Sequence, residues 1–354
     1  MRFGARLFLR SQEPFDSIIR RALFCEKWGF DSVFIDDHLL YGTSEASAPE
    51  PFTTLSALAV QTSKIRVGLA VTDLVRRHPA IVAQAAATLA TIAPGRIFLG
   101  LGAGDPMNQA PFGIPTENRY SKLREGFKVL KALWSSSLEK PANLNGQYFS
   151  LKNAYLQTGP SDKASVPVYL AAFGRKMLQL AGREADGWVP HCHTSETYAQ
   201  DLGTVGDAAR RSGRKFSRFL PCYYTLASAS RDGNVADARV LGPARYFLAL
   251  IPEALRKVDP SAHHPGRVWE EMSVPREQRE TIRKIASTIP AQTALNTVIH
   301  GTADDCIEQV AQFQKAGCRE LMLTFVPDQG LWSTKGLLPS IRFFADKVMS
   351  YFSE

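Results

Sequence analysis

The sequence predicts a (β/α)8 barrel, because eight short apolar runs alternate with stretches of helical periodicity along its 354 residues. The clearest unit is the pair Ile65–Val71 and Arg96–Leu101, with a helix-period stretch between them. Apolar residues dominate both runs, which is typical of parallel strands buried on both faces. Polar residues cluster where each run ends, and in such folds ligands bind outside the carboxyl ends of the strands.

The eight apolar runs are bounded by small or polar residues. They are Arg2–Leu9, Asp31–Ile35, Ile65–Val71, Arg96–Leu101, Val166–Ala171, Gly187–Pro190, Phe219–Ala227 and Glu320–Phe325. Together they predict one domain over residues 1–354, with insertions at the carboxyl-end face. Residues 143–160, which contain NGQYFSLKN, are predicted to form a hairpin insertion. Residues 231–290 are predicted to form a helical lid insertion over the barrel mouth, because aliphatic residues run through them.

Composition is that of an ordinary globular protein, with 45% hydrophobic and 21% charged residues. Five scattered cysteines predict reduced thiols in a cytoplasmic protein, and no apolar run approaches the roughly 20 residues that span a bilayer. The opening residues are predicted to form a strand rather than a signal peptide. The net charge of +8 is dispersed and lacks a nucleic-acid motif. We therefore interpret the basic residues as solvated helix faces or as a means of binding an anionic small molecule, in preference to binding nucleic acid.

Two candidate sites follow the second and fourth predicted strands. The first begins Asp36-Asp37-His38, where His38 is a candidate general acid or proton shuttle, or else a structural histidine in a turn. The second is GLGAGD, Gly100–Asp105, which lacks the spacing of a dinucleotide fingerprint because Asp105 and Pro106 follow at once. We interpret it as a glycine-lined strand end that lets a flat ligand approach the backbone, with Asp105 projecting into the mouth.

Two further segments carry candidate ligand groups. AAFGRKML, Ala171–Leu178, opens a helix after the fifth strand, so its N–H groups and two cations predict an anion site, with an ordinary turn as the alternative. His191-Cys192-His193 suggests a metal, but no ligand pair at zinc spacing accompanies it, so we predict no metal site and interpret these residues as polar groups of the barrel mouth.

The runs VTDLVRRHPAIVAQAAATL, GRIFLGLGAGD and AAFGRKMLQLAGREADGWV resemble the luciferase-like flavin and deazaflavin oxidoreductases. Within that superfamily they are most similar to the branch that uses coenzyme F420. The resemblance spans roughly residues 2 to 230 and 298 to 326. It implies hydride transfer between the deazaflavin C5 and a substrate carbon. A pterin-bound methylene group, as in methylenetetrahydromethanopterin reductase, is the leading substrate, and a ketone or alcohol is next.

The resemblance also implies residue roles. Asp37 and His38 match a pair beside the deazaflavin ring, with His38 or Asp105 as proton donor and Asp37 orienting it. Ala70-Val71 matches a bulge with a non-prolyl cis peptide. The remaining residues expected in the cofactor pocket are Val71, Thr72, Gly102, Gly104, Ala172, Phe173, Gly174, Arg175, Lys176 and Met177, the last six around the phosphate-bearing tail. We also assign His191 to the cofactor site.

Three alternatives remain open on the sequence. The barrel could bind FMN in place of F420 and act as a monooxygenase. It could reduce a ketone with F420 rather than a pterin. It could also bind flavin or deazaflavin without turnover. The resemblance further implies a homodimer with a small-molecule substrate.

Overall fold

The computed structural model describes residues 1–41, 45–158, 166–262, 264 and 275–352. Eight parallel strands close into a barrel in the order β10-β9-β6-β5-β3-β1-β13-β11, and β10 pairs with β11 to complete the ring. The barrel strands are β1 (Arg2–Arg6), β3 (Ser32–Ile35), β5 (Arg66–Asp73), β6 (Ile97–Gly102), β9 (Val168–Leu170), β10 (Gly187–Trp188), β11 (Leu220–Ala229) and β13 (Glu320–Phe325). The predicted (β/α)8 barrel is therefore confirmed.

Helices follow the strands as the periodicity predicts. Those outside the region between β11 and β13 are α1 (Asp16–Lys27), α2 (Pro51–Gln61), α3 (Pro79–Ile92), α4 (Arg119–Trp134), α5 (Gly174–Glu184), α6 (Ser195–Arg211) and α12 (Leu337–Lys347). Between β11 and β13 lie α7 (Gly233–Leu250), α8 (Pro252–Val258), α9 (Pro275–Thr288), α10 (Ala291–Leu295), β12 (Ile299–Gly301) and α11 (Ala303–Lys315). None of the helices in the described ranges is both long and apolar enough to cross a membrane.

The strand predictions differ from the structure at three places. The first strand ends at Arg6, and the separate strand β2 (Leu9–Arg10) pairs antiparallel with β4 (Ala46–Ser47). The predicted Gly187–Pro190 is a strand only over Gly187–Trp188. The prediction missed β12, which is too short and too polar to register as an apolar run and pairs only with the carboxyl end of β11.

A buried ion pair closes the amino end of the barrel. Arg66 at the start of β5 and Glu320 at the start of β13 pair with each other although β3 and β1 separate their strands, and the Ser32 hydroxyl donates to Glu320 Oε1 at 2.6 Å. Above them the interior is filled by apolar and aromatic side chains such as Phe34, Phe98 and Met322. Because this end is packed shut, the open carboxyl end is where a ligand has access.

Helices α7 to α10 form a second apolar core at the carboxyl end of the barrel. Their buried residues pack with Leu226 of β11 and Val326 after β13, together with Phe8 and Cys192. Residues 263 and 265–274 of the expected lid insertion lie outside the described residues. In the other insertion, β7 (Ala142–Asn145) and β8 (Ser150–Ala154) pair antiparallel. Residues 159 and 160, at its end, also lie outside the described part.

Candidate functional site

Asn108 organises the loop that carries His38. Its side chain is buried, and Oδ1 accepts hydrogen bonds from the backbone N–H groups of Leu39 at 2.7 Å and Leu40 at 3.0 Å. Those two bonds fix the amide orientation, so Nδ2 points to Asp105 Oδ2 at 3.2 Å and to His38 Nδ1 at 3.1 Å. Asn108 lies in a short 3₁₀ turn whose first backbone N–H groups are capped by Asp105. Sequence analysis missed this residue, because nothing local marks an asparagine that bonds to a loop 70 residues away.

His38 has a partner at Nδ1 in each protonation state. When Nδ1 lacks a proton, Asn108 Nδ2 donates to it at 3.1 Å, and when Nδ1 carries a proton it donates to Leu40 O at 3.2 Å. The other nitrogen, Nε2, has no hydrogen-bond partner among the residues described. The ring stacks on Tyr41 with centroids 4.6 Å apart. His38 is therefore held at one nitrogen and can exchange a proton at the other.

Asp37 is a buried anion with a structural role. It accepts hydrogen bonds from the Thr72 hydroxyl and from Arg77 Nε at 2.6 Å, and Arg76 Nη1 lies 3.2 Å from its other oxygen. Burial alone would raise the pKa of Asp37, but the Arg77 hydrogen bond, the Arg76 charge and the Thr72 hydroxyl hold that pKa below its usual value. The prediction that Asp37 orients His38 is corrected here, because its partners are these three side chains and Asn108 takes the orienting position instead.

The Ala70–Val71 peptide bond is cis, as the resemblance implies. It coincides with a shift in the β5–β6 register between Leu69 and Thr72. Two glycines of β6 face this bulge: a Cβ added at Gly100 or at Gly102 would lie 2.9 Å from a Val71 methyl. Glycine is therefore required on this strand for Val71 to keep its position. Thr72 is buried with its hydroxyl turned to Asp37.

Gly104 and Asp105 continue this wall. Gly104 has a φ of +93°, a conformation that favours glycine, and the loop turns there so that Gln109 packs against it. Asp105 is half-buried and accepts from Met107 N at 3.0 Å and from Asn108 Nδ2 at 3.2 Å. Its carboxylate therefore shapes the turn that positions Asn108.

The N-terminus of α5 presents backbone N–H groups without a side-chain cap, beside two cations. Its N-cap residue, Phe173, supplies no side-chain cap, and Gly174 takes a positive φ of 69° with open space around it. Arg175 and Lys176 are exposed, whereas Ala172 is buried and its carbonyl accepts from Trp188 Nε1 at 3.1 Å. Met177 packs on the main core and anchors the first turn. The arrangement suits an anion, because uncapped N–H groups and positive charge coincide.

The two histidines of His191-Cys192-His193 have different environments. Cys192 has a left-handed φ of 57°, so the chain is not extended there. His193 is bonded at both nitrogens, to His191 O at 2.8 Å and to Asp201 Oδ2 at 3.0 Å. His191 Nδ1 lies 2.8 Å from Tyr224 O, and its Nε2 is buried without a partner in the described part of the chain. No cluster of metal-ligating side chains occurs in that part either.

An aromatic wall, defined here as Phe8, Tyr41 and Trp332, stands beside His38. Trp332 packs edge-on against Phe8 at 5.4 Å and lies 5.7 Å from Tyr41. Arg6 lies 4.6 Å over the Phe8 ring and is paired with Asp36, which also accepts from the Tyr41 hydroxyl at 3.2 Å. Arg6 is thus already neutralised, and the second cation at the wall, Arg10, lies 4.4 Å over the same ring, is 3% exposed and donates to Leu331 O. The sequence did not predict the wall, because Trp332 joins it from a loop after the last strand.

The closed ring of eight parallel strands with helices between them places the chain in the class of (β/α)8-barrel proteins. The chain belongs to the luciferase-like monooxygenase family, whose model matches residues 1–320. The resemblance drawn from the sequence is thereby confirmed at the level of the family.

Proteins similar in sequence or structure to this chain include F420-dependent dehydrogenases. A Beutenbergia cavernae protein named F420-dependent glucose-6-phosphate dehydrogenase is 29% identical over 328 residues, 91% of this chain and 90% of its own. A Mycobacterium bovis phthiodiolone/phenolphthiodiolone dimycocerosates ketoreductase is 29% identical over 319 residues, 83% of this chain and 84% of its own. A solved F420-dependent secondary alcohol dehydrogenase, in complex with an F420–acetone adduct, is 26% identical with a TM-score of 0.81, covering 99% of this chain and 98% of that one. The coenzyme F420 dependent tetrahydromethanopterin reductase from Methanopyrus kandleri shares the fold at 21% identity, with a TM-score of 0.78 over 99% of both chains.

Proposed function

We propose that this protein is an F420-dependent oxidoreductase that interconverts an alcohol and a ketone. The observation that carries the proposal is His38, held at Nδ1 by Asn108 or Leu40 O and left with a free Nε2 at the open end of the barrel. Similarity to proteins named as F420-dependent dehydrogenases, and to a ketoreductase, supports it.

The residues at the barrel mouth fit a flat cofactor with an anionic tail. Gly100 and Gly102 let the Val71 bulge keep its position, because any side chain there would meet the Val71 methyls, and the resemblance implies that this bulge lies against the ring system. The N-terminus of α5, with Gly174, Arg175 and Lys176, would hold a phosphodiester through N–H groups and positive charge. F420, when bound, supplies hydride chemistry at the C5 position of its deazaflavin.

The protein supplies the proton that an alcohol–ketone reaction needs. A ketone oxygen that becomes a hydroxyl takes up one proton, and His38 Nε2 is placed to donate it or, in the reverse direction, to remove it. Proton exchange at Nε2 between the imidazolium and the neutral ring keeps the proton on Nδ1, so the hydrogen bond from Nδ1 to Leu40 O stays in place and the ring need not move. Asp105 acts through Asn108, and Asp37 keeps the neighbouring backbone in position.

The substrate is best described as uncharged. The arginines that contact the Asp36–His38 segment are already paired: Arg6 with Asp36, Arg76 with Asp73 and Asp37, and Arg77 with Asp37 and Glu50. A sugar phosphate would need an exposed, unpaired cation at this wall, and the remaining arginine there, Arg10, is buried under the Phe8 ring. The aromatic wall instead favours an apolar ketone or alcohol. We place this substrate ahead of the pterin-bound methylene group expected first, because the pterin reductase comparison supports only the fold.

The test is to compare the affinities for F420 and FMN by fluorescence, and then to follow the deazaflavin absorbance after adding secondary alcohols. We expect F420 to bind more tightly than FMN and to be reduced by an alcohol. His38→Ala should lower kcat by about 100-fold or more with little change in F420 affinity. Tighter binding of FMN, with oxygen-dependent reoxidation of the reduced flavin, would establish the monooxygenase alternative. Binding of F420 without turnover of any alcohol, ketone or pterin would establish the carrier alternative.

The homodimer implied by the resemblance stays a prediction. Sedimentation velocity of the purified chain, with and without F420, measures the mass directly.

A further inference from the structure

His191 stands between the barrel and the helical insertion. Its ring lies 4.8 Å from the ring of Tyr224 on β11 and 4.9 Å from that of Phe247 on α7. The residue is 8% exposed, and its Nε2 has no hydrogen-bond partner among the residues described. Buried polar side-chain atoms are nearly always satisfied, so this nitrogen is expected to meet a donor from a ligand or from a bound water.

The tautomer of His191 follows from its one partner. A backbone carbonyl can only accept, so the contact of 2.8 Å between Nδ1 and Tyr224 O places the proton on Nδ1. Burial, opposed by this hydrogen bond, lowers the pKa of His191 to about 4, so the ring is neutral at neutral pH. Its Nε2 therefore carries a lone pair and acts as an acceptor.

Neighbouring histidines do not share this property. His193 uses both ring nitrogens within the protein, and Asp201, which binds its Nε2, is also paired with Lys257 of α8. His38 has partners for two states of Nδ1, so its Nε2 can carry a proton or lack one. His191 alone of the three is an obligate acceptor.

We propose that His191 Nε2 binds the ligand of the barrel mouth by accepting a hydrogen bond from an N–H or O–H group. This rests on the proposed function, in which two ligands meet at this site. The imide N–H of the cofactor's pyrimidinedione ring is one source of the donor, and the hydroxyl of the alcohol is the other. His38 exchanges a proton with the substrate, and His191 only holds a donor in place.

Nitrogen NMR of ¹⁵N-histidine-labelled protein tests the proposal without turnover. In the free protein we expect His191 to show a protonated Nδ1 and a bare Nε2, with the signals assigned by their loss in His191→Gln. Adding F420, FMN or a secondary alcohol separately should move the Nε2 signal toward the hydrogen-bonded position, and the ligand that moves it is the source. A protonated Nε2 in the free protein, or a signal that none of the three moves, would overturn the proposal.

Variants give a second, independent readout. His191→Phe keeps an aromatic ring between Tyr224 and Phe247 but removes the acceptor, so the donor on the ligand is left unpaired. If the cofactor supplies the donor, we expect the Kd for F420 to rise about 10- to 100-fold. If the alcohol supplies it, we expect the same rise in the KM for the alcohol. His191→Gln, which can present an acceptor oxygen, should recover most of the loss. Unchanged Kd and unchanged KM in His191→Phe would contradict the proposal.

A control variant and the NMR titrations distinguish failure of the His191 proposal from failure of the proposed function. His300→Phe removes a different histidine, which is half-buried and bonded to Asp237, and should leave both constants unchanged. If His191→Phe does not fold, as judged by its urea midpoint, the Gln variant and the NMR titration still decide. If the wild-type chain ignores F420, the proposed function fails, but the Nε2 signal can still respond to FMN, whose ring has the same imide.

Discussion

Replacing Asn108 by alanine tests whether the Asn108 side chain positions His38. The side chain makes contacts of 2.7, 3.0, 3.1 and 3.2 Å with Leu39 N, Leu40 N, His38 Nδ1 and Asp105 Oδ2, and it is 1% exposed. A buried group left without its partner costs about 1–3 kcal/mol, and two backbone N–H groups lose their acceptor. Solvent can reach part of this loop, so we expect a total loss of about 2–4 kcal/mol of folding stability.

The effect on activity follows from the same contacts. General acid–base catalysis contributes roughly 100- to 10,000-fold, and a loosened His38 loses part of it, so kcat should fall about 10- to 100-fold. The Kd for F420 should change less than about threefold, because Asn108 contacts only the His38 and Asp105 turns. Equilibrium urea unfolding gives the stability, and the absorbance of the deazaflavin gives kcat.

The matched variant Asn108→Asp separates the two roles of the amide. It keeps an oxygen for the Leu39 and Leu40 N–H groups but places a charge beside His38 and beside Asp105. The added carboxylate favours the imidazolium, so the acid limb of the kcat profile should move to higher pH. An alanine variant with wild-type kcat, or an aspartate variant with an unmoved profile, would refute the assignment of Asn108 and His38.

Further substitutions test the rest of the mouth. Asp37→Asn should lower the free energy of unfolding by about 3 kcal/mol at pH 7, because it leaves buried arginines unpaired. Because the folded pKa of Asp37 is lowered, this difference is present above an unfolded pKa of about 3.9 and shrinks as the pH falls below that value. Urea unfolding at pH 7 and pH 3 measures the difference. Gly102→Ala places a methyl 2.9 Å from Val71 and should raise the Kd for F420 about tenfold. Gly203→Ala, with open space around it, is the control and should leave that Kd unchanged. Arg175→Ala should weaken F420 binding about two- to fivefold, less at high salt, whereas Arg183→Ala at the other end of α5 should have no effect; fluorescence titration at two ionic strengths checks both.

The local sequence was sufficient for the architecture. Apolar runs and helical periodicity report backbone conformation and burial over a few residues, and these alone predict eight strands and their order along the chain. The order also predicts which segments meet, because parallel strands place their carboxyl ends together. The motifs Asp36–His38, Gly100–Asp105 and Ala171–Leu178 were therefore correctly placed at one end of the barrel.

The pairing of side chains at the barrel mouth depends on the folded arrangement of distant loops. Asp37 is paired with two arginines 39 and 40 residues away, and Asn108 took the orienting position that was predicted for Asp37. The acceptor state of His191 depends on one carbonyl of β11. Hydrogen-bond partners are selected by the geometry of loops that converge when the barrel closes, at sequence separations over which local pattern carries no information. The local pattern therefore predicted the end of the barrel at which the motifs gather, and barrel closure fixed which ring nitrogens of His38 and His191 have partners among the described residues.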